Sequence, residues 1–534
     1  MCLNSTSRGQ GGPTPLGFKL CQGFLGCLVV RWGIKGIQVL NPRWATGLRC
    51  PSDFVAQRIY RVVMLGPPVV NGIYFLFLIF TPVVLIVCPL EQCRGAWGFK
   101  HRWRAMWILL TLSVKPLSYN IHSQKIKVMK SMIEEDIVIV GGGIAGLTTS
   151  LGLHRLGIRS LVLESSDCLR VSGLALTIWE NAWKALDVVG VGDILRSQHI
   201  QLHGNMTISL ITGKETSFTS FKDNKGKYGI REVRRVSRKL LLETLANELP
   251  SGSIRYTSKV VSIQESGFSK ILHLVDGTTI KTKVLIGCDG VHSMVAKWLG
   301  FKEASFTGRY AARGYAKLKT AHELEPMFMQ YFGKGFRVGA LPCDDKSVSW
   351  YFTWNPTSQG KELAEDPVKL KQYVLNKLEN MPNGARYFIE ETGLDTIQAV
   401  PLRYRHPWEL IMGNISKENV CILGDALHPM TPDIGQGGCC AIEDGVVLAK
   451  RLAEAFSKKP KEGEEEYKMI EESLKKYAKE RRWRCIDLIA TSYIVGFIQQ
   501  GGSKFVNFFR DYMIGSFLAV QLLKKSNYDC GQLK

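Results

Sequence analysis

From Ile133 the pattern of hydrophobic and polar positions becomes regular. An apolar run at Ile137–Val140 leads into a glycine cluster. A stretch with helical spacing follows over Ala145–Leu156, then a second apolar run over Ser160–Glu164. That order predicts a β-α-β unit whose strands are buried in a parallel sheet. A Leu- and Glu-rich segment predicts a helix over Arg235–Leu249. Strands are expected at Ile254–Val260, Ile271–Val275 and Thr279–Ile286, the last two joined by an Asp276-Gly277 turn. Between Tyr310 and Trp354 the period shortens to two. The runs YAARGYAKLK, MFMQYFGKG, FRVGALPC and SVSWYFTWN are short, aromatic and separated by Gly or Asp-Asp turns. They predict an antiparallel sheet covered on one face. After Pro401 the α/β alternation returns, and from Glu443 the pattern is helical to the end. No internal repeat is visible.

Residues 1–131 show no sustained period. Their one clear feature is the uncharged stretch 62–90, long enough for a bilayer span. Pro67, Pro68, Pro82 and Gly72 interrupt it, leaving roughly Gly72–Leu90 as the best segment. Cations flank both ends, so the charges give little orientation. Three readings stand for this leader: a membrane anchor, a targeting extension, or non-native sequence upstream of a start at Met129 or Met132.

Charge divides the chain in the same place. The net charge is +22. The leader holds 16 Lys/Arg against Asp53 and Glu91, a net of +14, which leaves +8 for the remaining 403 residues. The basic excess therefore belongs mostly to the leader. With no zinc knuckle or RNP-type sequence beside it, no nucleic-acid partner is expected. Six cysteines lie in the leader and eight beyond it, with no C-x-x-C pair. Reduced thiols and no metal site are expected.

The glycine cluster carries the first chemistry. Gly141-x-Gly143-x-x-Gly146 follows a strand and opens a helix, with Ala145 inside it. Gly141 permits the tight turn, Gly143 lets backbone approach a pyrophosphate, and Gly146 lets helix and strand pack closely. The helix N-terminus faces the phosphates with free N–H groups. Glu164 ends the second strand, 23 residues after Gly141, where a carboxylate accepts from ribose hydroxyls and disfavours a 2′-phosphate. Two further strands end in chemistry-bearing residues: Asp289-Gly290 in VLIGCDGVHSMV, and Gly424-Asp425 in CILGDALHPMTPDIGQGGCCAIEDGVVLAKRL. In the latter, a Gly-Gln-Gly turn opens a helix and aims backbone donors at whatever lies above it, as an anionic reduced flavin would require.

With these three spaced motifs the chain resembles the FAD-dependent aromatic hydroxylases of the para-hydroxybenzoate hydroxylase type, and within them the plant monooxygenase branch related to zeaxanthin epoxidase. The resemblance spans roughly Ile133–Arg484. It implies an α/β fold: a GR2-type, Rossmann-like FAD domain (132–205, 230–305 and 396–452), an inserted antiparallel-sheet substrate domain (206–229 and 306–395) and a helical C-terminal region (453–534). It implies FAD as cofactor, with NAD(P)H as co-substrate. O2 would add to the reduced flavin at C4a, and the hydroperoxide would hydroxylate or epoxidise an apolar or aromatic small molecule. Another flavin oxidoreductase, or a flavin-binding regulatory protein with little turnover, is the alternative. By the same resemblance Gly141, Gly143, Ala145, Gly146 and Glu164 hold the ADP half. Arg238 in VSRKLLLETL touches the cofactor, and Asp289 and Gly290 position the pyrophosphate region and the nicotinamide donor. Asp425 accepts from the ribityl chain, and Pro432, Gly435, Gln436 and Gly437 pass beside the flavin ring. No side chain is named as catalytic, since the cofactor carries the chemistry. One position departs from the family: its second motif ends in Arg, where this chain has Ala296 followed by Lys297.

The remaining candidates are weaker. His428 sits in a loop and needs no catalytic role, and Glu443-Asp444 are expected to cap or face solvent. Arg231, Arg234 and Arg235 suit either an acidic substrate or a solvated helix start. Tyr373 and Lys377 read as a solvated helix face. Tyr331, Trp350 and Trp354 are expected over an apolar substrate pocket. Ala490–Lys525 reads as a packed helical element with a monotopic membrane contact as the alternative. A cytoplasmic catalytic body, membrane-associated if 62–90 is a genuine anchor, completes the expectation.

Overall fold

The computed structural model describes residues 132–169, 175–222, 231–356, 360–379, 383–458, 461–500 and 522–533, with four short strands before them. Those strands form two antiparallel hairpins, Val30–Gly33 with Gly36–Val39 and Ile73–Leu78 with Val84–Pro89. The second hairpin lies within the apolar stretch 62–90, and the rest of that stretch lies outside the described residues. Among the described residues no helix is long and apolar enough to cross a membrane.

Two sheets organise the body. In the first, Ile254–Arg255, Leu161–Leu163, Ile133–Val140 and Thr279–Gly287 run side by side and parallel. Val420–Ile422 pairs parallel to the end of Thr279–Gly287. Ser269–Leu274 and Val260–Ser266 extend the sheet antiparallel. Ile137, Val138 and Ile139 are wholly buried, as an apolar run without alternation requires of a strand covered on both faces. The helix Ile144–Arg155 packs on this sheet and against the helix Gly437–Phe456. Their contact is close because it passes through glycines. A Cβ on Gly445 would lie 2.9 Å from the Thr149 backbone nitrogen, and one on Gly152 would lie 2.9 Å from the Ala449 Cβ.

The second sheet has seven strands in the order Gln398–Tyr404, Ser305–Lys317, Ser347–Trp354, Phe336–Asp344, Met327–Phe332, Gly204–Ser209 and Glu215–Ser220. All neighbours are antiparallel except Met327–Phe332 with Gly204–Ser209. One face carries Tyr331, Phe352, Trp350 and Trp354 against Leu370, Val374 and Leu378 of the covering helices.

Several boundaries differ from expectation. The helix predicted from Arg235 starts at Arg238. Arg234–Ser237 is instead a strand paired with Ala175–Ile178, and Ser237 caps the helix by accepting from the Leu240 N–H. The strand predicted over Ile254–Val260 breaks in two, with Thr257 between the pieces at φ +53°. The helix expected after the Gly-Gln-Gly turn covers Gly437–Phe456, and the long helix that follows covers Glu464–Gln499. Of the stretch Ala490–Lys525, residues 501–521 lie outside the described residues.

Candidate functional site

The glycine cluster is built as a cradle. Gly141 sits at φ +108°, and a Cβ there would lie 2.3 Å from the Cys288 carbonyl oxygen, at the end of the neighbouring strand. A Cβ on Gly146 would lie 2.0 Å from the Gly141 carbonyl oxygen. Neither position tolerates a side chain. Gly143 is different: among the described residues, no atom beyond its own chain neighbours lies within 4 Å of where its Cβ would be. The space above Gly143 is therefore available for close approach of a ligand to backbone. Glu164 lies beneath the loop, 6% exposed. Its carboxylate accepts from the Gly142 N–H at 2.9 Å and the Ser166 N–H at 2.8 Å, which fixes it toward the glycines.

The second motif is turned inward on itself. Asp289 accepts from the Ser293 hydroxyl and from the N–H of Met294 (2.6 Å) and Val295 (3.3 Å), capping the short helix Met294–Trp298. Burial nevertheless raises its pKa, against the lowering effect of those bonds. Gly290 follows at φ +80°. Ala296 is 3% exposed and packed into the core, while Lys297 lies exposed on the surface.

The third motif brings Asp425 to an exposed position after Val420–Ile422, close enough to act electrostatically on Arg238. Burial lowers the Arg238 pKa, and the Asp425 carboxylate partly offsets that effect. The loop Pro432–Ile434 then turns through Gly435 at φ +62° into the helix Gly437–Phe456, with Gln436 as its N-cap. Gln436 is fully buried. Its Oε1 accepts from Asn181 at 2.9 Å while its Nε2 has no hydrogen-bond partner. Arg238 Nε and Trp179 Nε1 are likewise buried without a partner. Buried donors left unpaired cost free energy, and a bound polar group relieves that cost.

Below this loop lies a sealed ionic cluster that corrects one expectation. Glu443 and Asp444 neither face solvent nor cap an exposed end; both are 0% exposed. Glu443 accepts from Arg481 (2.6 Å), Arg484 (2.8 Å) and Asn181 (2.5 Å). Asp444 accepts from Arg481 Nε (2.7 Å) and the Gly424 N–H (3.0 Å), and its Oδ2 lies 2.6 Å from His428 Nε2. Burial opposes these charges, but His428 and Arg481 hold the Asp444 carboxyl well below the usual carboxylate range. His428, read from sequence as a loop residue, is wholly buried. His428, Cys440, Asp444 and Cys485 bring four ligand-type atoms within 4.8 Å of one another. Arg481 Nη2 already lies 3.2 Å from Cys440 Sγ, placing a cation where a metal ion would neutralise the carboxylate. Asn181 bridges the cluster to Gln436, so the loop that opens the helix rests on a rigid ionic floor.

Beside the Pro432–Gly435 loop is a cavity of about 170 Å³ between that loop, the strand pair Ala175–Ile178/Arg234–Ser237 and the second sheet. The sheet offers the face opposite its aromatic core. Phe328, Gln330, Arg337, Tyr351, Thr353 and Arg313 point inward. This corrects the expectation for Tyr331, Trp350 and Trp354, which the strand alternation turns to the covering helices. The cavity wall is therefore mixed aromatic and polar. Asp433 spans it, accepting from Arg309 (2.9 and 3.3 Å) and Arg337 (3.1 Å). Tyr351 donates to Gln330 at 3.1 Å, and its ring lies 5.0 Å from the Arg337 guanidinium. Of the arginines that precede the helix, Arg231 pairs with Glu180 and Arg234 with Glu232, while Arg235 alone lines the cavity.

The comparisons agree with this geometry. The family described as FAD binding domain matches residues 134–484. Monooxygenase 2 of Arabidopsis thaliana is 52% identical over 404 residues, covering 74% of this chain and 98% of its own length. The chain belongs to the FAD-dependent aromatic hydroxylase family. It is an FAD-dependent monooxygenase. The chloroplastic zeaxanthin epoxidase of an Oncidium hybrid cultivar is 27% identical over 459 residues, covering 80% of this chain and 65% of its own. Among solved structures, Klebsiella pneumoniae HpxO complexed with FAD and uric acid superposes with a TM-score of 0.62 at 22% identity, covering 74% of this chain and 96% of that one, a likeness of fold.

The monooxygenase fold accommodates FAD on the evidence of its own residues. Among the described residues the glycine cradle is open at Gly143, the carboxylate of Glu164 is fixed beneath it, and Gln436 Nε2 and Arg238 Nε are buried donors without a partner. Sequence motifs pointed to these residues. They did not point to Arg313, Arg337 or Gln330. The only signal for those is a cationic or amide side chain at alternate positions of strands otherwise rich in aromatics.

Proposed function

We propose that this monooxygenase uses NAD(P)H and O2 to hydroxylate or epoxidise a small aromatic molecule held in the cavity beside the Pro432–Gly435 loop. The observation that carries the reading is the meeting of that loop with a cavity lined by Trp179, Phe221, Phe328 and Tyr351 and with the N-terminus of the helix Gly437–Phe456. When bound, FAD supplies the redox chemistry, taking a hydride from NAD(P)H and, once reduced, activating O2 for transfer of one oxygen atom.

The residues divide the remaining work. Gly141, Gly143 and Gly146 with the N-terminus of Ile144–Arg155 receive the pyrophosphate, and Glu164 accepts from the adenosine ribose. Arg238 and Asp425 hold the middle of the cofactor. The backbone donors at Gly435–Gly437, at the positive end of the helix, stabilise negative charge that develops on the ring. Phe328 and Tyr351 confine a flat substrate.

Incorporation of labelled oxygen tests this. The purified chain is expected to carry FAD, to oxidise NAD(P)H faster with its substrate present, and to place one atom of ¹⁸O2 in the product. Substrate oxidation without label would identify an oxidase instead, and a chain purified free of FAD would sink the reading.

A further inference from the structure

The strand Arg234–Ser237 hands the chain directly to Arg238, the first residue of its helix. On one side the strand pairs with Ala175–Ile178, Ser237 lying opposite Ala175. On the other side the Leu202 N–H donates to the Val233 carbonyl at 2.8 Å and Gln201 bridges to Arg234. Ser237 lies beyond that pairing, and a backbone donor that no strand reaches needs another partner. The imidazole of His199 supplies it: the Ser237 N–H donates to His199 Nε2 at 3.1 Å. The other ring nitrogen, Nδ1, lies 2.7 Å from the carbonyl oxygen of Leu195, in the short helix Gly192–Arg196.

These two partners fix the state of the ring. A peptide N–H only donates, so Nε2 offers a lone pair; a carbonyl oxygen only accepts, so Nδ1 carries the proton. The ring is therefore the neutral Nδ1–H tautomer. A second proton would turn Nε2 into a donor facing the Ser237 donor. The surroundings oppose that proton. Of the charges on the strand and on the helices Gly192–Arg196 and Arg238–Asn247, Arg234 is the one that acts on the ring, and it is a like charge. The Arg234 guanidinium also donates to the carbonyl of His199 itself at 2.6 Å. Glu232, the carboxylate beside it, is held by Arg234 at 2.8 Å and by Arg196 at 3.0 and 3.1 Å. Arg196 in turn is committed to Asp187 and Asp193 as well. The paired strand Ala175–Ile178 has no ionisable side chain. Burial, and then Arg234, push the His199 pKa below its ordinary value, against the raising effect of the Leu195 carbonyl.

The bond lies one residue from Arg238. Ser237 is also the cap of that helix, its Oγ accepting from the Leu240 N–H, and Arg238 Nε is a buried donor without a partner. A shift of Ser237 therefore moves the start of the helix and the guanidinium with it.

We infer that neutral His199 is a positioning residue for Arg238, holding the strand end that carries it in place for the cofactor, so that protonation of this ring loosens FAD. This rests on the reading of Arg238 as a residue that touches the cofactor.

The FAD affinity of the full chain, read from free-flavin fluorescence, and its Tm are followed from about pH 7.5 to about pH 5, across the ordinary histidine range. Because the fold lowers the His199 pKa, the stability tied to the neutral ring is undiminished above about pH 6.5 and falls as the pH drops from there toward the folded value. Wild type is expected to bind FAD about tenfold more weakly at the acid end, the scale of one lost hydrogen bond whose donor stays buried. His199→Gln, which keeps an acceptor and a donor but takes no proton there, is expected to retain most of the affinity at neutral pH and to lose much less of it in acid. His199→Leu, which removes both bonds, is expected to weaken FAD about tenfold at neutral pH with little further loss in acid. A wild-type affinity that does not change with pH overturns the inference, and so does an acid loss in His199→Gln equal to that of wild type. Should His199→Leu fail to fold, the comparison of wild type with His199→Gln decides alone. Arg238→Met tests the underlying reading and should weaken FAD at every pH. If it does not, Arg238 is no cofactor contact, and the acid limb of Tm, expected in wild type and absent from His199→Gln, still decides whether the ring holds the strand.

Discussion

The two faces of the seven-stranded sheet are made by the same strands and do opposite things. Along Ser347–Trp354 the even positions, Val348, Trp350, Phe352 and Trp354, are buried against helices, while Tyr351 and Thr353 line the cavity. Along Phe336–Asp344, Phe336 and Val338 face the helices and Arg337 and Leu341 face the cavity. The greasier face is the structural one. Its rings stack on each other, Phe336 with Phe352 at 5.4 Å and Tyr310 with Trp354 at 5.6 Å, leaving no room for a ligand. The cavity face instead keeps hydrogen-bonding groups and charges, among them Gln330, Thr353, Arg313 and Arg337. Aromatic density in a strand marks where the core is, and the functional face is found one residue away.

The difference should break first at the core. Trp350→Ala, which removes a side chain 2% exposed and its bond to Thr392, is expected to cost about 3–5 kcal/mol of stability in urea unfolding. FAD content per folded chain should stay unchanged. A loss below 1 kcal/mol would mean that this face is not the core. On the opposite face, Asp433→Asn leaves Arg309 and Arg337 facing each other without their carboxylate. The expected loss is about 3 kcal/mol, with weakened ligand binding in addition, because breaking a buried pair strands its partners. An Asp433→Asn chain as stable as wild type would show that the cavity is wetter than its geometry indicates.

A pH experiment sharpens the contrast with the sealed cluster below the loop. The Asp444 carboxyl is depressed in the fold, so the stability it contributes is fully present above its unfolded value of about 3.9. That contribution is lost as pH falls through the folded value. Wild type should therefore lose stability steeply below about pH 4, and Asp444→Asn should show a shallower acid limb from a lower starting point. Identical limbs would remove Asp444 from the account. The smallest effect belongs to Tyr351→Phe, which deletes one hydroxyl bonded to Gln330. It should cost about 1 kcal/mol in stability and act mainly on the KM of the substrate rather than on FAD retention.

Much of the glycine cradle was legible because it is a local backbone geometry. Gly141 and Gly146 are glycines because their Cβ positions are occupied by neighbouring backbone, and Glu164 lies at the end of the adjacent strand. Such constraints act over a few residues and leave a fixed spacing. The cavity was not legible for the converse reason. A period of two says that a strand has two faces but not which one meets the cavity, and for Trp350 and Trp354 the apolar choice was the wrong one. Glu443 and Asp444 looked solvent-facing because the cations that permit their burial, Arg481 and Arg484, come from another helix about 40 residues downstream. Gly204–Ser209 and Glu215–Ser220 escaped notice because the outer strand is polar and partly exposed. Arg234–Ser237 was absorbed into the following helix because its pairing partner, Ala175–Ile178, lies far upstream in sequence.

Asp433 has a mechanical consequence as well as an electrostatic one. Its carboxylate belongs to the loop Pro432–Gly435, and the two arginines it holds belong to different strands of the second sheet, with Arg309 also gripping Gln500 at the end of the long helix. The joint fastens the loop, the second sheet and the long helix at one point. Any motion that admits a ligand leaves this corner in place, because three buried groups would have to part together to move it.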